Sequence, residues 1–232
     1  QKIPVLFGEQ DILKTLTLTP GVKTMGEGSG GMYVRGGNNS HNLILLDESM
    51  VYNANHLLGF FSTFNGDAIK DVTLYKGTAG AEYGGRLASV MDVRMKDGNN
   101  QHYHVSGGIG LISSRISVEG PIIRNKGSFL LTARRTYADL FLKLSSDPLL
   151  NNNQLYFYDI NAKANYQLND NNRLFISAYA GRDVFSFFDR FSMNWGNITA
   201  TVRWNHIFNN RLFSNTSFIY SDYGYKVGIN LA

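Results

Sequence analysis

The chain has no cysteine and only four prolines, and just 17% of its 232 residues are charged. The missing cysteine excludes disulfide frameworks, thiolate metal sites and cysteine nucleophiles, and fits an oxidising compartment. No stretch of about 18 consecutive apolar residues occurs, so a transmembrane helix is not available. No signal peptide is visible at Gln1. Lysine and arginine are scattered without a basic run, and the net charge is only +4, which argues against nucleic-acid binding. A membrane protein with these deficits has to span as a closed barrel. In place of charge the chain carries 24 glycines, 13 tyrosines and 15 phenylalanines, together with much Asn, Ser and Thr. That composition favours strands and turns over helices.

The composition changes near Gly98-Asn99-Asn100-Gln101. Residues 1–98 read as a small α+β domain and residues 99–232 as antiparallel β. In the first part, Ile12, Leu13 and Leu16 follow Glu9-Gln10-Asp11 at the spacing of a short helix, which Thr19-Pro20-Gly21 stops. Strands are predicted over Met32–Arg35, Asn42–Asp47, Asp71–Tyr75 and Val90–Lys96. A second short helix is predicted over Leu57–Phe64.

In the second part, alternation marks seven strands of about nine to eleven residues, the length that crosses a bilayer at a tilt. Ile160, Ala162, Ala164, Tyr166 and Leu168 share one face, opposite Asn161, Lys163, Asn165 and Gln167. Ile198, Ala200, Val202 and Trp204 oppose Thr199, Thr201, Arg203 and Asn205. The runs 173–182 and 211–220 alternate less clearly. Connections alternate between short (120–127, 169–172, 209–210) and long (137–154, 182–194), as in an outer-membrane barrel, except for a very short link near Ile112–Ser114. A soluble β-sandwich shows the same alternation. Aromatic clusters at strand ends (Tyr156, Phe157, Tyr158 and Trp195) suit an interfacial girdle, though sandwich ends also carry them.

Two glycine-rich blocks are more specific. Met32-Tyr33-Val34-Arg35-Gly36-Gly37 precedes Asn42-Leu43-Ile44-Leu45-Leu46-Asp47. Asp67-Ala68-Ile69-Lys70-Asp71-Val72-Thr73-Leu74-Tyr75-Lys76-Gly77 is followed by Ala81-Glu82-Tyr83-Gly84-Gly85-Arg86-Leu87-Ala88-Ser89-Val90. In order and spacing these segments resemble the plug domain of TonB-dependent outer-membrane transporters, especially the Bacteroides-type, SusC-like relatives. Val105–Pro121 resembles the first barrel hairpin of that family. The resemblance implies a plug over residues 1–98 and, over 99–232, the N-terminal part of a transmembrane β-barrel of ~22 strands. Seven strands of that curvature cannot close, so the chain is expected to be a piece of a longer protein. One departure stands out: where the family usually has Gly after the Asp of the buried strand, this chain has Glu48-Ser49, so a looser turn is expected.

The implied function is gated import across the outer membrane of a Gram-negative bacterium, driven through TonB, with a small molecule, glycan or peptide as substrate and a surface lipoprotein as a possible partner. No residue is assigned to the TonB contact. The same architecture used as a non-transporting scaffold in a protein assembly is the alternative. Arg35, Gly36, Gly37, Asp47, Glu82 and Arg86 are candidates for plug–barrel contact and gating, with guanidinium–carboxylate forks as the chemistry. Tyr52, Asn53, Asn55 and His56 are candidates for a substrate-facing loop. Gly26–Gly31 fails as a phosphate cradle and as a nucleophile elbow. His102 and His104 share a strand face but lack a third ligand. No catalytic residue, cofactor or metal is expected.

Overall fold

The computed structural model describes residues 5–6, 9–24, 31–144, 151, 153–188 and 190–230. The Gly26–Gly30 segment considered above lies outside the described residues.

Along the chain, β1 (Val5–Leu6) pairs with β2 (Glu9–Gln10), followed by helix α1 (Ile12–Thr17). Asp11 caps α1 by accepting from the Lys14 N–H at 3.1 Å, which satisfies one of the orphan donors of the first turn. Strands β3 (Val22–Lys23) and β4 (Tyr33–Val34) form a small antiparallel pair. Next come β5 (Asn42–Leu46), β6 (Ser49–Met50), β7 (Asn55–His56), β8 (Phe61–Ser62), β9 (Ile69–Tyr75) and β10 (Ser89–Met95).

A four-stranded sheet in the order β6-β5-β10-β9 holds this N-terminal unit together. β10 lies at its centre, parallel to β5 and antiparallel to β9. Its residues Val90, Met91, Val93 and Met95 are buried, as expected of a central strand covered on both faces. The core of Val34, Ile44, Leu46, Phe64, Met91 and Val93 also includes Leu130 and Tyr179 from the second part of the chain. The N-terminal unit therefore does not close its core alone.

The second part is one antiparallel meander of seven neighbouring strands: β11 (His104–Ile109), β12 (Ser113–Ile123), β13 (Gly127–Thr136), β14 (Gln154–Asn169), β15 (Asn172–Phe187), β16 (Phe191–Asn209) and β17 (Leu212–Ile229). Helix α2 (Ala138–Lys143) sits in the connection between β13 and β14. The face carrying Thr132, Asp159, Asn161, Lys163, Ser177, Asn197, Thr199 and Thr201 is buried. The opposite face is apolar and open, with Ile198 51%, Val202 37% and Trp204 43% exposed. A soluble sandwich would bury the apolar face. Polar inside and apolar outside is instead the pattern of a lipid-facing barrel wall.

Four expectations are corrected, the last of them at the turn after Asp47. The strands β14 to β17 run to 16–19 residues rather than nine to eleven. The expected long loop over 182–194 is strand for most of its length, because Arg182 through Phe187 ladder against Phe191 through Gly196. Leu57–Phe64 is not a helix. A 3₁₀ turn over Leu57–Gly59, with Leu57 and Leu58 at φ 46° and 58°, leads into β8. The Leu57 N–H bonds the Asp183 carboxylate at 2.7 Å, so contacts with the wall override the local apolar spacing.

The turn after Asp47 is tight rather than loose. Leu46 faces Ser49 across a two-residue hairpin, with Asp47 and Glu48 at φ 45° and 77°. Both central residues of such a turn must adopt the left-handed conformation, which costs a non-glycine residue energy.

Candidate functional site

The N-terminal unit rests on the polar face of the meander, and most of the polar chemistry lies in this seam. At one end β6 docks on β16. The Ser49 and Thr201 hydroxyls are 2.7 Å apart, and Thr201 donates to the Asp47 carbonyl at 2.8 Å. Lys163 of β14 reaches across to the Met95 carbonyl at 2.7 Å and to the Asp47 carboxylate at 3.1 Å. Arg203 pairs with Glu48 at 2.7 Å, and Arg115 with Asp67 at 3.2 Å. Both of these pairs are partly exposed, so each contributes little by itself. Asn197 clamps the next loop, accepting from the Tyr52 N–H and donating to the Asn53 carbonyl. The Ser221 hydroxyl donates to the Met50 carbonyl.

The dry centre of the seam is a charge cluster around His56. Its Nδ1 lies 2.6 Å from Asp183 of β15, and its Nε2 lies 3.4 Å from Asp159 of β14 and 3.3 Å from the Tyr179 hydroxyl. Arg134 of β13 bonds Asp159 at 2.6 Å and donates to the Ser62 carbonyl at 2.8 Å. The His56 ring stacks on Phe157 with centroids 4.1 Å apart, and the Arg134 guanidinium lies 4.9 Å from the same ring. All four charged groups are buried. Burial alone would lower the His56 pKa, but the carboxylates of Asp183 and Asp159 outweigh it and hold the pKa above its ordinary value. With both nitrogens facing carboxylates, the charged imidazolium can donate on both sides. Two cations then balance two anions in a water-poor site, an arrangement that is costly to break on one side only.

The predicted residues fall into three groups. Asp47 meets the wall directly, through Lys163 and Thr201. Arg35, Gly36, Gly37, Glu82 and Arg86 serve another joint. A Cβ on Gly37 would stand 2.4 Å from that of Ala88, Gly36 takes φ 81°, and the Arg35 guanidinium lies beside Gly77. The Ala88 N–H bonds the His41 carbonyl at 2.9 Å. The two glycine blocks therefore pack on each other within the N-terminal unit. Arg86 donates to the Gly85 carbonyl and approaches the Met50 sulfur, and the Glu82 carboxylate folds back over Gly80. Among the described residues the guanidinium–carboxylate pairs across the seam are made instead by Arg203, Arg115 and, at 3.9 Å from Asp97, Arg173.

Of the loop residues, Tyr52 is half exposed and stacks with Tyr223 at 6.1 Å, and Asn53 caps the Asn55 N–H. His56 is 1% exposed. That places it in the seam and corrects its assignment to a substrate-facing surface. Sequence reasoning missed Asp159, Asp183, Arg134 and Tyr179. Their only trace was parity, as charged or polar members of strands whose alternate positions are apolar.

Residues 5–90 match the family model of the TonB-dependent receptor plug domain. Solved structures share the fold over both parts of the chain. The siderophore receptor PirA from Pseudomonas aeruginosa aligns with a TM-score of 0.66 at 14% identity, covering 94% of this chain and 38% of the receptor. The ferric preacinetobactin receptor BauA from Acinetobacter baumannii gives 0.67 at 14%, covering 94% and 36%. The FrpB iron transporter from Neisseria meningitidis gives 0.63 at 15%, covering 91% and 37%. The chain thus spans well under half the length of these proteins. No curated protein matches by sequence.

Proposed function

We propose that this chain, which carries a TonB-dependent receptor plug over residues 5–90, is the gate and the opening wall strands of an active importer in the Gram-negative outer membrane. The observation that carries this reading is the two-sidedness of the meander. Its polar face holds the plug through hydrogen bonds and ion pairs, while its apolar face is left open. Among the described residues β11 and β17 are the edges of the seven-stranded sheet, and lipid does not tolerate open edges, so the proposed barrel requires further strands to close. The chain gates a path and catalyses no reaction. Residues 1–98 form the gate and 99–232 the wall. Energy arrives through TonB, and the cargo is a nutrient presented on the outer side, with Tyr52 and Asn53 among the plug residues facing it. Arg35 and Arg86 help hold the plug by bracing the joint between its two glycine blocks. The Bacteroides-type, SusC-like affiliation rests on the sequence motifs.

The 232 residues contain no cysteine. In the full-length protein, with any cysteine outside these residues replaced by serine, Ser49→Cys with Thr201→Cys places two thiols where the native hydroxyls are 2.7 Å apart. In planar bilayers the native protein is expected to be closed and to conduct when mild urea loosens the plug. The oxidised pair should hold it closed, and reductant should restore opening. Conductance that ignores the cross-link would refute a movable plug, and a protein that never opens would favour the scaffold alternative.

A further inference from the structure

On the outward face of the wall, the apolar rows end at a groove of about 370 Å³ that lies apart from the plug seam. Tyr158 of β14, Arg182 of β15, Asn194 of β16, and Asp222 and Lys226 of β17 line it. Strand register brings these residues together. Arg182 faces Tyr158 on one side and Gly196 on the other, Gly196 faces Gly224, and Asn194 faces Lys226. The paired glycines leave a recess between the flanking side chains. Arg182 and Lys226 form no ion pair among the described residues, so the recess presents two unneutralised cations beside one carboxylate.

Its height on the wall is informative. On β14 the outward residues are apolar or aromatic from Leu168 through Tyr166, Ala164 and Ala162 to Ile160, and Tyr158, the next outward residue, lines the groove. That band is about nine residues long, the length of a tilted strand crossing a bilayer. The tight turns near 170–171 and 210–211 close the strands at the Trp204 end, whereas β15, β16 and β17 continue past the groove. Short turns mark the periplasmic side of such walls. The groove therefore sits at headgroup depth in the outer leaflet.

We propose that this groove binds the phosphorylated sugar headgroup of an outer-leaflet glycolipid. Arg182 and Lys226 hold the phosphate, Tyr158 lies against the sugar ring, and Asp222 and Asn194 take its hydroxyls. This rests on the barrel reading above. A guanidinium and an ammonium converging on one recess suit a phosphate oxygen cluster. The acid and the amide between them suit a sugar better than a plain phosphodiester lipid.

The test uses the full-length protein in nanodiscs of zwitterionic lipid, titrated with diphosphorylated lipid A or its dephosphorylated form, with bound lipid counted by native mass spectrometry. Cations at a membrane surface each change anionic-lipid binding about fivefold, so Arg182→Gln with Lys226→Gln should weaken diphosphorylated lipid A binding about twenty-five-fold. A Cβ at Gly224 meets open space, so Gly224→Leu should fold normally and block the recess by bulk alone. Equal binding of the dephosphorylated form, or undiminished binding by both variants, would overturn the proposal. So would displacement by millimolar inorganic phosphate, which would make the site one for a free anion. Heat-modifiable migration of each preparation checks the barrel independently, so a failed barrel is distinguishable from a barrel without the site.

Discussion

Asp183→Asn isolates the charge at the centre of the seam. The asparagine oxygen still accepts the Leu57 N–H that Asp183 now holds at 2.7 Å, so the change removes a charge and spares that hydrogen bond. Two cations, His56 and Arg134, are then left facing Asp159 alone. Breaking a buried pair on one side costs about 3–5 kcal/mol, which is about a hundredfold to a few thousandfold in the open fraction of the plug. Glu48→Gln breaks a pair in which both partners are about one-third exposed, and should cost less than about 1 kcal/mol. Hydrogen exchange of the 54–64 segment in the full-length protein, corrected for intrinsic rates, reads both variants.

The same cluster gives a pH signature. The folded pKa of His56 is raised above its ordinary value of 6.5. Its contribution to docking is therefore complete below that value and is lost as pH rises through the raised one. Alkaline pH should increase exchange of the 54–64 segment in the native protein. In the Asp183→Asn variant that loss should begin at lower pH, because the largest charge holding the pKa up is gone. If Asp183→Asn opens the plug no more than Glu48→Gln does, or native exchange is indifferent to pH above neutrality, the buried ion cluster is not the latch.

Two further predictions probe the halves separately. Asp11 caps α1 with one carboxylate oxygen and accepts the buried Ser62 N–H at 2.8 Å with the other. Asp11→Ala should destabilise the plug by about 2–4 kcal/mol, the sum of a lost cap and an orphaned buried donor, and Asp11→Asn should retain part of this; exchange rates across Ile12–Thr17 check it. Val202 faces outward on β16, so Val202→Arg should impair insertion into bilayers by about 2–4 kcal/mol, measured by folding titrations into vesicles, whereas unchanged folding would mean that face never meets lipid.

Architecture was legible where one period governed a long segment. The alternation of Asn161, Lys163 and Asn165 against Ile160, Ala162 and Ala164 identified the two faces of β14, because a strand exposes alternate residues to two different solvents. Strand length was less legible. Beyond the apolar band the outward face becomes polar, as at Arg182, Asn194 and Lys226, so alternation fades while the backbone ladder continues. The glycine blocks stood out in the sequence, yet the partner of each could not be read. That Gly37 packs against Ala88 rather than against the wall is a three-dimensional fact with no local trace. The His56 cluster was the least legible part. Its five members come from β7, β13, β14 and β15, and each is unremarkable in its own stretch of sequence.

The Asp47-Glu48 turn puts backbone strain at one end of the seam. Two non-glycine residues occupy left-handed backbone, at a cost of about 1–2 kcal/mol each. The wall supports both, through Thr201 and Lys163 on Asp47 and through Arg203 on Glu48. The N-terminal unit holds the same turn from its own side, through the Asp47 N–H to the Val93 carbonyl at 2.9 Å and the Met95 N–H to the Asp47 carboxylate at 3.0 Å. Glu48→Gly separates the two terms. It removes one residue's strain, loses an ion pair whose partners are about one-third exposed and which is worth less than about 1 kcal/mol, and adds about 0.5–1 kcal/mol of backbone entropy cost. These terms nearly cancel, so docking at low salt should change by less than about 1 kcal/mol. The salt sensitivity of plug opening should nevertheless fall, because one screened pair is gone. Urea-induced plug opening of the full-length protein at low and high salt measures both quantities. A loss above about 2 kcal/mol would show that the Glu48–Arg203 pair, rather than the strained turn, governs this end of the seam.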